Sequence, residues 1–85
     1  MEKEQIFSIL KKNVCEVMTD LDESLVTKEE SLRNLGTNSV DRADILMQTM
    51  EMLQVNIPMV EFASAQNIDE IVQVFEQGCK NKGKA

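Results

Sequence analysis

Histidine is missing from this chain, and cysteine occurs only at Cys15 and Cys79. The absence of imidazole removes the usual general base. With no thiolate cluster either, the sequence holds no metal-binding pattern. Cys15 falls inside an apolar helical pattern, which suits a small residue at the edge of a core. Cys79 lies in a polar stretch and reads as a free thiol. No apolar run could span a membrane, and the start, Met1-Glu2-Lys3-Glu4-Gln5, is too charged for a signal peptide. The expected location is the cytoplasm. Proline is limited to Pro58, so there is little to break helices.

What is present is a single small domain of 85 residues, 42% hydrophobic, enough to fold around one modest core. A deep enzyme pocket is not expected at this size. The net charge is −6. Positions 20–70 hold eleven acids against three bases (Lys28, Arg33 and Arg42), a local charge of −8. Such a surface repels nucleic acid and anionic lipid and attracts basic patches on proteins.

Ile6, Leu10, Val14, Val17 and Met18 recur at helical spacing, predicting an amphipathic helix over residues 3–18. A long polar connection follows to Asn38, with Leu21, Leu25, Val26, Leu32 and Leu35 as expected buried anchors. Asp20-Leu21-Asp22-Glu23-Ser24 fails as a calcium loop: Leu25 stands where the turn needs glycine, and Ser31 where it needs glutamate. A second helix is predicted over 39–53, free of proline and glycine. Ala43, Ile45, Leu46 and Leu53 are its expected core residues. Pro58 closes an extended piece, and a short helix is expected over 60–65. The last helix is predicted over 68–77 with Asn67 as N-cap. Gly78 then ends it, leaving a flexible basic tail over 79–85 and a domain over 1–78. The expected fold is all-α, a small four-helix bundle of three longer helices and one short one.

The chemistry-bearing segment is Leu35-Gly36-Thr37-Asn38-Ser39-Val40-Asp41-Arg42-Ala43-Asp44-Ile45. Ser39 stands where a loop becomes a helix, whose free N–H groups and dipole favour a phosphate ester. The plain alternative is that Ser39 caps the helix. Gly36 is expected to permit a turn that a side chain would oppose. Asp41, Asp44, Gln48 and Glu51 share one side of this helix, and Val40 and Met47, seven apart, lie on the same side as each other.

This segment resembles the attachment site of acyl carrier proteins. Val55-Asn56-Ile57-Pro58 and Asn67-Ile68-Asp69-Glu70-Ile71 resemble the elements that follow it in that family. The resemblance implies a 4'-phosphopantetheine arm on Ser39, added from coenzyme A by a phosphopantetheinyl transferase using magnesium. The arm's thiol would carry an acyl group as a thioester, and the protein itself would catalyse nothing. It also implies a docking face for partner enzymes comprising Val40, Asp41, Arg42, Asp44, Met47, Met50, Glu51, Met59 and Val60. The family's usual Asp-Ser-Leu is here Asn38-Ser39-Val40, a departure that bears on the choice of transferase. Thr49 occupies a position usually apolar in the family, and Met50 one that is often acidic.

Asn38-Ser39-Val40-Asp41-Arg42-Ala43, with Val55-Asn56-Ile57-Pro58-Met59-Val60-Glu61-Phe62-Ala63, is most similar to the free-standing donor carriers of polyketide β-branching cassettes. That likeness implies malonyl loading by an acyltransferase and decarboxylation to acetyl by a ketosynthase-like enzyme. Transfer to an HMG-CoA-synthase-like enzyme would follow. Arg42, Met50 and Met59 are then candidates for partner discrimination. A monomer is expected. The alternatives are a carrier of fatty-acid, aminoacyl or D-alanyl cargo, and a helical interaction module with no prosthetic group, in which Ser39 is only a cap.

Overall fold

The computed structural model describes residues 2–82 of the chain. Three α-helices carry the architecture: α1 (Lys3–Val17), α2 (Ser39–Leu53) and α3 (Ile68–Lys82). Two 3-10 turns, Glu23–Leu25 and Met59–Phe62, punctuate the connections. No strand occurs among the described residues.

Each helix buries one stripe. Ile6, Leu10 and Val14 of α1 meet Ile45, Leu46, Met50 and Leu53 of α2 and Ile68, Ile71, Val72 and Phe75 of α3 in one core. Such side chains contribute roughly 1.5–3 kcal/mol each on full burial. The Phe62 and Phe75 rings, 5.0 Å apart and tilted by 51°, tie the second 3-10 turn to α3.

One polar pair interrupts this core. Asn13 of α1 donates from Nδ2 to Thr49 Oγ1 of α2 at 2.9 Å, and Thr49 Oγ1 donates onward to the Ile45 carbonyl at 2.8 Å. The exposures are 1% for Asn13 and 0% for Thr49. The hydroxyl at an otherwise apolar position is therefore answered from the facing helix.

The short helix expected over 60–65 is instead the 3-10 turn Met59–Phe62, beginning directly after Pro58, whose fixed φ suits a helical entry. Leu25, expected to be buried, is 54% exposed. Residues three apart eclipse in a 3-10 turn, so Leu25 lies above exposed Asp22, and Val26 takes the inward place. Ser24 donates its amide and hydroxyl to Asp22 in this turn, holding that carboxyl below its usual pKa.

The last helix does not stop at Gly78. It continues through Cys79 to Lys82; the rest of the expected tail, 83–85, lies outside the described residues. Gly78 works by approach: a Cβ there would stand 2.5 Å from Ile57 Cδ1 and 2.9 Å from Ile57 Cγ1. Its missing side chain lets the segment before Pro58 close onto α3. Cys79 packs against the core, and both thiols are free.

Candidate functional site

The loop that delivers Ser39 is fixed at several points. Gly36 has φ +95°, a left-handed conformation that side chains oppose, while a Cβ there would meet only Met18 Cε at 3.9 Å. The glycine is therefore needed for backbone conformation rather than for space. Thr37, buried, donates its hydroxyl to the Leu32 carbonyl at 2.7 Å. Arg42 reaches back from α2 and donates Nη1 to the Thr37 carbonyl at 3.0 Å. The arginine thus straps the loop to the helix that follows it.

Asn38, not Ser39, caps α2. Its Oδ1 accepts from the Asp41 amide at 2.8 Å, and the Asp41 carboxylate accepts from the Asn38 amide at 3.2 Å, closing a capping box. The alternative reading, in which Ser39 is only a cap, does not fit this geometry. Ser39 is the first helical residue, exposed, and its hydroxyl makes no hydrogen bond among the described residues. The amides of Ser39 and Val40 are likewise left without acceptors there.

The remaining site residues fall into three sets. Val40 (66% exposed), Met47, Met59 and Val60 present apolar side chains to solvent. Asp44 and Glu51 are exposed, whereas Asp41, Arg42 and Gln48 are half-buried, the first two engaged in the contacts just described. Met50 is the correction: it is 9% exposed and belongs to the core. The inward face of α2 runs through Ile45, Leu46, Thr49, Met50 and Leu53, which leaves Met50 no surface to offer a partner. Met52, half-exposed, went unremarked in the sequence; it lies just beyond Glu51 on the outer side of α2.

A cleft of about 590 Å³ opens beside the N-terminal half of α2, lined by Arg42, Leu46, Met59 and Phe62 among others. A larger groove of about 840 Å³ lies further off, between residues 54–57 and α3, and includes Glu61 and Glu70. The larger one holds no α2 residue. No cluster of candidate metal ligands occurs among the described residues, and no helix is long and apolar enough to cross a membrane.

Comparison with known proteins accords with this geometry. Residues 8–75 match the family model described as "Phosphopantetheine attachment site". The chain is 40% identical over 75 residues to the polyketide biosynthesis acyl-carrier-protein AcpK of Bacillus subtilis (strain 168), spanning 88% of this chain and 92% of that protein. It also superposes with a TM-score of 0.80 and 44% identity on a chain from the crystal structure of the curacin biosynthetic pathway HMG synthase in complex with acetyl donor-ACP. That match covers 88% of this chain and 96% of the other. The chain belongs to the phosphopantetheine attachment family and is an acyl carrier protein, a carrier rather than a catalyst.

Proposed function

We propose that Ser39 bears the 4'-phosphopantetheine arm and that the carrier donates acetyl to an HMG-CoA-synthase-like enzyme during polyketide β-branching. The observation that carries the attachment point is the unencumbered Ser39 hydroxyl at the start of α2, with cap duty taken by Asn38. The site fits a phosphodiester: the hydroxyl is exposed, and two unpaired amides stand at the positive end of the helix. When attached, the group supplies a thiol that holds the acyl unit as a thioester.

The chain's own residues orient the arm's root and recognise partners. Asp44 and Glu51 offer exposed charge, and Val40, Met47, Met59 and Val60 offer apolar area. Charged contacts of this kind chiefly steer encounter, while methionines adapt to a partner's pocket. Asp41 and Arg42 serve the face through the loop they hold in place. The 3-10 turn Met59–Phe62 takes the position of the short helix in a four-helix carrier bundle. The other partners in this reading are a phosphopantetheinyl transferase, a malonyl acyltransferase and a decarboxylating ketosynthase-like enzyme, met by a monomeric carrier in the cytoplasm.

The acetyl assignment is supported by the likeness to a chain from the acetyl donor-ACP complex. Its test is transfer from the acetyl-loaded arm. An HMG-CoA-synthase-like enzyme should deplete acetyl from this carrier faster than from a fatty-acid carrier. Equal rates, or loading of the arm by an aminoacyl or D-alanyl ligase instead, would overturn the assignment while leaving Ser39 modified.

A further inference from the structure

The groove of about 840 Å³ between residues 54–57 and α3 differs in sign from the cleft beside α2. Glu61 and Glu70 line the groove and no lysine or arginine does, whereas Arg33 and Arg42 line the cleft without a carboxylate. Neither glutamate makes an ion pair among the described residues; the pair found there is Lys28–Glu4 at 2.8 Å. Glu70 Oε1 accepts from the Gln66 amide at 3.0 Å, which leaves Oε2 open. Glu61 is exposed, and its carboxylate makes no hydrogen bond among the described residues. The lining is also apolar, at half-buried Val55, Ala65 and Val74. One wall is main chain. Residues 55–58 belong to no helix or turn. The amides of Asn56 and Ile57 and the carbonyls of Val55, Asn56 and Ile57 make no hydrogen bond among the described residues. Three consecutive residues thus present an unpaired backbone edge.

We propose that this groove seats an extended segment of a partner protein in which basic and apolar side chains alternate. Its main chain pairs with residues 55–57, its apolar side chains pack on Val55, Ala65 and Val74, and its cations meet Glu61 and Glu70. Strand addition to an open edge is a common way to hold a peptide. Alternation sends every second side chain to the floor and leaves the others for the acids. Three residues of edge offer few hydrogen bonds, so the charges must add to them. The net charge of −6 draws a basic segment in. Glu61 shares its 3-10 turn with exposed Met59 and Val60, so the groove continues the face offered to partners. No residue of α2 lines it, and an occupant leaves Ser39 uncovered. An enzyme holding the carrier here would keep the arm at high effective concentration. That use rests on Ser39 as the attachment point; the seat does not.

The test titrates the isotope-labelled, full-length apo protein with the pentapeptide Lys-Val-Lys-Val-Lys, blocked at both ends, and follows backbone amide shifts by NMR. The expected shifts fall on Val55, Asn56, Ile57, Glu61, Glu70 and Val74, with Ser39 and Val40 unmoved, and saturate to one dissociation constant. The double variant E61Q/E70Q should raise that constant roughly 2- to 30-fold at low salt. Glutamine keeps an oxygen for the Gln66 amide, so the fold is spared. Gln73→Lys, a cation on an exposed lining residue, should weaken binding too. A peptide N-methylated at both valines loses main-chain donors and should bind more weakly. Melting temperatures establish that each variant is folded. Equal affinity of the methylated peptide, or the same shifts with spermine, would overturn an extended segment as the occupant. Unchanged affinity in the folded variants would overturn the seat. So would shifts at Asp44 and Glu51 as large as those in the groove, or no shift at millimolar peptide. Because the arm is absent, such a failure leaves the attachment at Ser39 untouched.

Discussion

Replacing Asn38 or Ser39 by alanine separates a structural role from a chemical one within two adjacent residues. Asn38→Ala removes the acceptor that holds the Asp41 amide at 2.8 Å. Loss of such a cap costs about 0.5–2 kcal/mol. For a domain of this size about 1 kcal/mol lowers the melting temperature by roughly 4–8 °C. Ser39→Ala removes a hydroxyl with no partner at an exposed first-turn position. Alanine is the better helix former, by a few tenths of a kcal/mol, about 0.5 at most. The expected melting temperature of Ser39→Ala is therefore equal to or slightly above that of wild type. The assay is thermal and urea unfolding of the apo proteins, followed by circular dichroism. A Ser39→Ala loss as large as that of Asn38→Ala would refute the reasoning, because it would make the serine part of the fold.

Three further outcomes follow from contacts in the core and on the surface. Thr49→Val strips Asn13 Nδ2 of its acceptor in a buried site, so urea unfolding should report a loss of about 1–3 kcal/mol, largely recovered in Asn13→Leu/Thr49→Val. Gly78→Ala places a Cβ 2.5 Å from Ile57 Cδ1. Overpacking of about 1–3 kcal/mol should exceed the roughly 1 kcal/mol gained in helix propensity. A net gain in melting temperature would show that Ile57 yields freely. Asp44→Lys exchanges an attraction for a repulsion on the exposed face, which at about 0.2–1 kcal/mol each amounts to roughly 2- to 30-fold slower transfer at low salt. The difference should fade in high salt while the melting temperature stays unchanged.

The span of α2, Ser39–Leu53, was readable because an unbroken run of helix formers begins beside Asn38 and ends before the extended segment leading to Pro58. The cap was readable too: Asn38 and Asp41 have capping-box spacing. Met50 could also have been placed, since Leu46, Met50 and Leu53 step inward by four and three. By contrast, Gly78 looks like a helix stop in any local reading. Its real purpose depends on Ile57, 21 positions earlier, brought near only by folding. The same holds for Asn13, whose amide makes sense only opposite Thr49, and for Arg42, whose strap to Thr37 turns an apparent surface charge into part of the loop.

The account rests most heavily on the Ser39 oxygen, and intact mass spectrometry tests it directly. The apo protein, treated with coenzyme A, magnesium and a permissive phosphopantetheinyl transferase, should gain the mass of one phosphopantetheine, mapped by peptide analysis to Ser39. The folded Ser39→Ala protein should gain nothing. Modification of that variant, or an unmodified wild type with several transferases, would contradict the account.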